Sequence, residues 1–341
     1  MSKKIFIDPS SRILYSSFYI EGLYQVFGKN NVSFSSQYFT DLNRSLNDFS
    51  FEHFFAFVVV SDNKIQKFVI DFCDPYDIHE NGYDWGDFYA KINLNYRLIE
   101  DRFKAKLILI PPGFGIQIWN VWQTGFFCIK NYLFNDSTLK NKFTKHCKDY
   151  YHQYKRPRIS DFEKDLKTKK KSDKPFIFMI ATLWEDQNSI VTTNKNRKEF
   201  IEICKQKKCN FEGGFFSKSK PPEYQNLIFD KHYSVNQYIE KTKKSLFVFN
   251  TPAVHNCHGW KLAEYIAMGK AIISTKLCNE IPEEFLANDL ICFIDNETSL
   301  ENKIALLLNN SEYCRKLELN TKALYFKKVQ PKAVISALMK R

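Results

Sequence analysis

Lys261 and Glu264 stand three residues apart in a segment that runs from apolar strand through polar loop and helix to a second apolar strand, over 245–275. In open α/β sheets, ligands bind beyond the carboxyl ends of the strands, where the amides of a following helix point at the occupant. An anion suits that place. Lys261, in the first helical turn, would add a positive charge beside a diphosphate. The helix macrodipole disfavours a lysine at this end unless an anion shares the site. Glu264 falls on nearly the same helix face, where a carboxylate can accept two hydrogen bonds from the vicinal hydroxyls of a ribose; a solvent-facing helix glutamate is the plain alternative. Gly259 opens the helix, and His255 and His258 flank the loop, to touch phosphate or sugar or to act as ordinary loop histidines. Arg197 begins a stretch read as helix over 197–205 and offers a second cation at a helix start, with a solvated arginine as the alternative. His255, Cys257 and His258 lack a second ligand pair nearby, so no metal is expected.

The run Lys261-Leu262-Ala263-Glu264-Tyr265-Ile266-Ala267-Met268-Gly269, followed by the apolar strand from Ala271, resembles the nucleotide-sugar signature of GT-B glycosyltransferases. In that family a glutamate-bearing helix ends in a small-residue-Gly turn before a hydrophobic strand. The resemblance implies that Glu264 holds the nucleotide ribose and that basic residues nearby, Lys261 and Arg197, hold the diphosphate of a UDP- or GDP-linked sugar. Many retaining members carry a second glutamate eight positions earlier; Asn256 stands there, which leaves the stereochemical outcome open. A basic residue three before the glutamate is similar to exostosin-like and bacterial surface-polysaccharide transferases. The resemblance covers 174–296 and the tail helices read over 317–325 and 331–339.

The implied fold is α/β, two Rossmann-like domains facing a cleft. The implied function is sugar transfer to a glycan or lipid-linked acceptor in surface polysaccharide or glycoconjugate synthesis, with no cofactor beyond the donor. An inverting transferase needs a base for the acceptor hydroxyl. Asp74, His79 and Asp87 follow an apolar strand of the first half and are the candidates, against ordinary loop and cap residues. Pro111-Pro112-Gly113-Phe114-Gly115 either lets backbone approach a substrate or makes a tight turn. Trp119, Trp122, Phe126 and Phe127 recur at helical spacing and read as core.

These residues need a scaffold of alternating strands and helices. Strands are expected over 4–8, 32–34, 54–60, 67–72 and 106–110, with a helix over 18–27 stopped by Gly28, which suggests a parallel α/β layer. A second series restarts at Pro175: strands near 175–181, 211, 245–250, 271–275 and 290–294, and helices over 197–205, 233–242 and 259–268. The expected organisation is an acceptor domain over 1–136, a basic linker over 137–174, a donor domain over 175–315 and bracing helices over 316–341.

A chain of 341 residues fits two such domains, and 44% hydrophobic with 26% charged residues is a globular composition. Nine scattered cysteines without a CxxC pair suit reduced thiols in a cytoplasm. The apolar start is cut short by Asp8 and Pro9, which excludes a signal-peptide core, and no apolar run reaches membrane-spanning length. The net charge of +12 calls for an anionic partner: a phosphorylated substrate or an anionic membrane docked by the 140–174 region and the aromatic first half. A nucleic-acid-binding protein and a non-catalytic nucleotide- or sugar-binding relative are the alternatives. The first leaves the Glu264 segment unexplained, so no nucleic acid is expected.

Overall fold

The computed structural model describes residues 3–44, 54–62, 64–134, 143–165, 174–184, 188–287, 289–294 and 299–341. The chain forms two compact units, residues 1–159 with 328–341 and residues 160–327. The lysine run over 167–173 lies outside the described residues.

The first unit begins with β1 (Lys4–Ile7), α1 (Ile13–Phe27) and β2 (Val32–Phe34), then β3 (Phe54–Ser61), β4 (Lys64–Asp71), α2 (Glu80–Trp85), β5 (Phe88–Lys91), β6 (Leu107–Leu109), α3 (Val121–Phe134) and α4 (Phe143–Tyr154). One sheet runs in the order β2-β1-β3-β4-β5-β6. It is mixed where a parallel layer was expected: β3 pairs antiparallel with both β1 and β4, and the other pairs are parallel. The cause is local. Ser61 pairs with Lys64, and Asp62 takes the left-handed conformation, φ 47°, that suits a tight reversal. As a central strand, β3 is buried on both faces, which explains its unbroken apolar run. Phe54, Ala56 and Val58 pack with Val69, Trp85 and Tyr89, while Phe55 on the other face lies over Tyr19 of α1.

Helix α4 lies in the stretch read as linker. Its polar sequence hides it, because only Tyr150 and Gln153 are buried. Asp149 on this helix accepts from the backbone N–H groups of Ile13 at 2.5 Å and Leu14 at 3.3 Å, satisfying amides that the start of α1 leaves without helical partners. Trp119 and Phe127 join the core, stacked at 4.5 Å. Trp122 and Phe126, read with them as core, are instead exposed. The Pro111 to Gly115 turn is packing: a Cβ on Gly113 would meet Phe18 and Tyr19 of α1 at 3.0 Å.

The second unit contains α5 (Ile159–Glu163), β7 (Phe176–Thr182), α6 (Asn188–Gln206), β8 (Asn210–Phe216), α7 (Val235–Lys244), β9 (Val248–Asn250), α8 (Trp260–Ala267), β10 (Ile272–Ser274), β11 (Ile291–Phe293), α9 (Leu300–Asn309) and α10 (Ser311–Leu324). Every strand pair here is parallel: β7 with β8, and β9, β10 and β11 in the order β11-β10-β9. Leu246 N–H donates to the Phe176 carbonyl at 2.7 Å, joining the two groups of strands beside each other. Ile177, Met179, Phe200, Phe249 and Ile273 share the core, with Phe200 of α6 stacked on Phe249 at 4.6 Å.

The last helix, α11 (Pro331–Leu338), belongs to the first unit and packs on α1. Gly22 permits this. A Cβ there would lie 2.4 Å from the Pro331 carbonyl oxygen and 2.6 Å from Ile335 Cγ1. Gly22→Ala is expected to force the helices apart at a cost of about 1–3 kcal/mol, as overpacking does. An unchanged thermal unfolding midpoint in that variant would show that the helices do not need this approach.

Candidate functional site

The second unit gathers its chemistry at the carboxyl ends of β7 and β9. The loop after β9 turns sharply: His255 and Asn256 both hold left-handed conformations, φ 55° and 59°. Such strained positions collect at functional sites. Cys257 N–H donates to the Val254 carbonyl at 3.1 Å, and Ala253 N–H to the Cys257 carbonyl at 3.0 Å, fixing the turn. Gly259 then caps α8, with Lys261 in its first turn and Glu264 in its second.

Helix α6 forms the facing wall. It starts nine residues before Arg197, which therefore stands in mid-helix and not at the helix start expected of it. Thr, Asn and Lys residues made this stretch read as loop, but tertiary hydrogen bonds hold it helical. Thr193 Oγ1 donates to the Pro252 carbonyl at 3.1 Å, and Asn194 Nδ2 to the Trp184 carbonyl at 2.7 Å. Arg197 Nε donates to Thr251 Oγ1 at 2.9 Å and Nη1 to the Thr182 carbonyl at 3.2 Å. The three side chains come from one helix face and tie both strand-end loops to α6.

Arg197 is buried, and Lys261 is half-buried with its ammonium on the Ile180 carbonyl. Burial lowers the Lys261 ammonium to about 8, the Arg197 charge pushes it the same way, and Glu264 opposes both. Burial also lowers Arg197, to about 10. Among the described residues neither cation is in an ion pair. Glu264 is buried, so the solvent-facing alternative does not hold; burial raises the neighbouring phenols of Tyr238 and Tyr265, and the Glu264 charge adds to it. Two desolvated cations, with a carboxylate one turn further along α8, have the chemistry to meet an anion that also bears hydroxyls.

The histidines separate. His255 is exposed on the strained turn, whereas His258 is buried with Nε2 2.9 Å from the Glu280 carbonyl, where it braces the loop, and burial lowers its pKa. The candidate bases of the first unit also part company. Asp74 is exposed beyond the carboxyl end of β4, and His79 precedes α2, its N–H donating to Tyr89 Oη at 3.1 Å. Asp87 lies at the opposite, amino end of β5 and accepts from Lys67 N–H at 2.8 Å, a structural role remote from the strand carboxyl ends.

Sequence reading passed over Asp71, Tyr89 and Lys91. Asp71 and Lys91 sit opposite each other at the carboxyl ends of β4 and β5, fully buried, with Nζ 2.7 Å from Oδ2. Tyr89 Oη donates to the same oxygen at 2.6 Å, and Cys73 N–H to Oδ1 at 2.8 Å. A lysine closing an apolar strand was the available signal. Asp71, Cys73 and His79 also bring potential metal-ligand atoms within 4.8 Å of one another. Both Asp71 oxygens already accept hydrogen bonds and Lys91 already balances the carboxylate charge, so a metal there would sit against a buried ammonium.

Comparison with protein-family profiles and with curated proteins gives no match. Among solved structures the chain is similar to a glycosyltransferase from Rickettsia africae ESF-5, with 13% identity, TM-score 0.41, and coverage of 78% of this chain and 67% of that one. It is also similar to WaaG, a glycosyltransferase involved in lipopolysaccharide biosynthesis, with 10% identity, TM-score 0.35, and coverage of 78% and 85%. A third similarity, to TarM, has 14% identity and TM-score 0.36 and covers 49% of this chain; the chain spans only 34% of TarM's length. At these TM-scores the likenesses assign no residue a role. Among the described residues no helix is long and apolar enough to cross a membrane.

Proposed function

We propose that the protein is a glycosyltransferase whose second unit binds a nucleotide-diphosphate sugar, UDP- or GDP-linked, and passes the sugar to a glycan or lipid-linked acceptor in surface polysaccharide or glycoconjugate synthesis. The observation that supports this best is the set of Arg197 and Lys261, in no ion pair among the described residues, beside buried Glu264 at the strand ends. Diphosphate oxygens would pair with both cations at the N-terminal end of α8, and Glu264 would accept from the ribose hydroxyls. In the transfer, the acceptor oxygen bonds to the anomeric carbon as the bond from that carbon to the diphosphate oxygen breaks. The acceptor proton passes to a base, and the nucleoside diphosphate leaves with the bonding pair. Arg197 and Lys261 stabilise the charge that grows on it, without a metal.

Thermal unfolding against UDP, GDP, CMP and their sugar conjugates tests the binding step. At a hundredfold excess over Kd a ligand adds about 2.7 kcal/mol to the folded state, a rise on the order of 5–10 °C for a unit of this size. One nucleotide family is expected to give that rise, and Glu264→Ala to abolish it. A folded protein whose midpoint moves with none of them does not bind sugar nucleotides. Stabilisation without turnover on any acceptor or on water would make it a binding protein.

A further inference from the structure

Helix α3 is built inside out. Its inward face carries Thr124, Cys128 and Asn131, all buried, while Trp122, Phe126, Ile129 and Leu133 are 84%, 61%, 60% and 65% exposed. Both sets recur at spacings of three and four, so each is a continuous stripe. The buried polar groups are served. Thr124 Oγ1 donates to the Asn120 carbonyl at 2.8 Å, and Asn131 Nδ2 to Tyr150 Oη of α4 at 2.7 Å. The helix is therefore fixed in this orientation by its polar side, and four large apolar side chains are left in water. Phe134 at its end and Phe143, packed at 4.7 Å on Tyr132, extend the surface. A contiguous apolar face of this kind marks an interaction site.

Charge decides what it meets. The helix Val121–Phe134 contains no acidic residue. Lys130 lies over the rings of Phe126 and Phe134, with Nζ 5.9 Å from each centroid, and Lys155, just past the end of α4, has its Nζ 5.5 Å from the Tyr151 ring; Lys145 and Lys148 of α4 are also exposed. Asp149, the acidic residue of α4, is turned inward onto Arg12 and the start of α1. Exposed apolar and aromatic side chains with lysine ammonium groups held over their rings, on a helix without an acidic residue, fit the interface of an anionic bilayer. A second copy fits badly, since two-fold pairing would set these lysines against their own equivalents in a chain of net charge +12.

We propose that the outer face of α3 docks the protein on anionic lipid, with Trp122, Phe126, Ile129 and Leu133 entering the interface and Lys130 and Lys155 meeting lipid phosphates. This surface belongs to the first unit and the Arg197–Lys261 site to the second, so its lipid affinity is readable whatever nucleotide the protein takes. The test is flotation of the full-length chain with phosphatidylcholine vesicles and with vesicles in which about one lipid in three is phosphatidylglycerol. Partitioning is expected to be at least tenfold stronger on the anionic vesicles, and at least tenfold weaker in Trp122→Ser/Phe126→Ser/Ile129→Ser, whose thermal midpoint should not fall because these side chains bury little. Trp122→Ser alone should give part of the loss. Equal flotation of wild type and triple variant, or no preference for anionic lipid, overturns the proposal. So does a wild-type dimer, by light scattering, that the triple variant converts to monomer, since a second copy would then cover the face.

Discussion

Lys261→Ala is expected to slow transfer from the sugar nucleotide by about a hundredfold to a thousandfold, the usual loss when one charge-stabilising donor is removed from a preorganised site. The fold should survive, because among the described residues the side chain of Lys261 is held by one hydrogen bond, to the Ile180 carbonyl. Arg197→Ala is a less clean probe: it also removes the bonds to Thr251 and Thr182 that tie both loops to α6. Donor hydrolysis measures the effect without a known acceptor. The pH dependence separates the ammonium's charge from its shape. With Lys261 lowered from 10.5 to about 8, the free protein loses this charge as pH rises through 8, so donor affinity should fall there. Lys261→Arg, charged throughout, should remove that fall. Stability of the free protein should move the other way. Between about 8 and 10.5 the unfolded chain holds the Lys261 proton that the folded state has lost, so this group favours folding as pH rises across that window. Undiminished turnover in Lys261→Ala would reduce the residue to a structural prop for β7.

Lys91→Met is expected to destabilise the first unit by about 3–5 kcal/mol, the cost of stranding a buried carboxylate. The loss should lie toward the lower end, since Asp71 keeps the Tyr89 hydroxyl and the Cys73 amide. Asp71→Asn/Lys91→Met should recover part of it, because the remaining amide is neutral: its oxygen can accept from the Cys73 N–H while its NH2 donates to the Tyr89 hydroxyl oxygen. Urea midpoints with unchanged slopes are the readout. A single variant as stable as wild type would mean that water or a rearranged side chain reaches Asp71.

Much of the second unit was legible from sequence. Pure apolar strands separated by helices admit few arrangements other than a parallel layer, and Gly259 and Gly269 bracket α8 where turn chemistry requires. Lys261 and Glu264 could be paired from spacing alone, since three residues of helix put both on one face. Arg197 could be singled out as a cation but not placed, because its helix is held by bonds to Pro252 and Trp184, far away in sequence. His258 could be read as a loop histidine but not given its partner, since nothing near it in the chain announces the Glu280 carbonyl.

The first unit shows the limit more sharply. Its strands were visible as apolar runs, but direction was not, since an antiparallel central strand and a parallel one are equally apolar when both faces are covered. Asp71 and Lys91, twenty residues apart, become partners only through the register of β4 on β5. Trp119, Trp122, Phe126 and Phe127 read as one core face from their spacing, but Trp119 and Phe127 pack inward while Trp122 and Phe126 lie exposed in a stripe with Ile129 and Leu133. Which way the stripe faces was settled by Asn131, whose hydrogen bond to Tyr150 of α4 turns the polar side inward and leaves the apolar one outside.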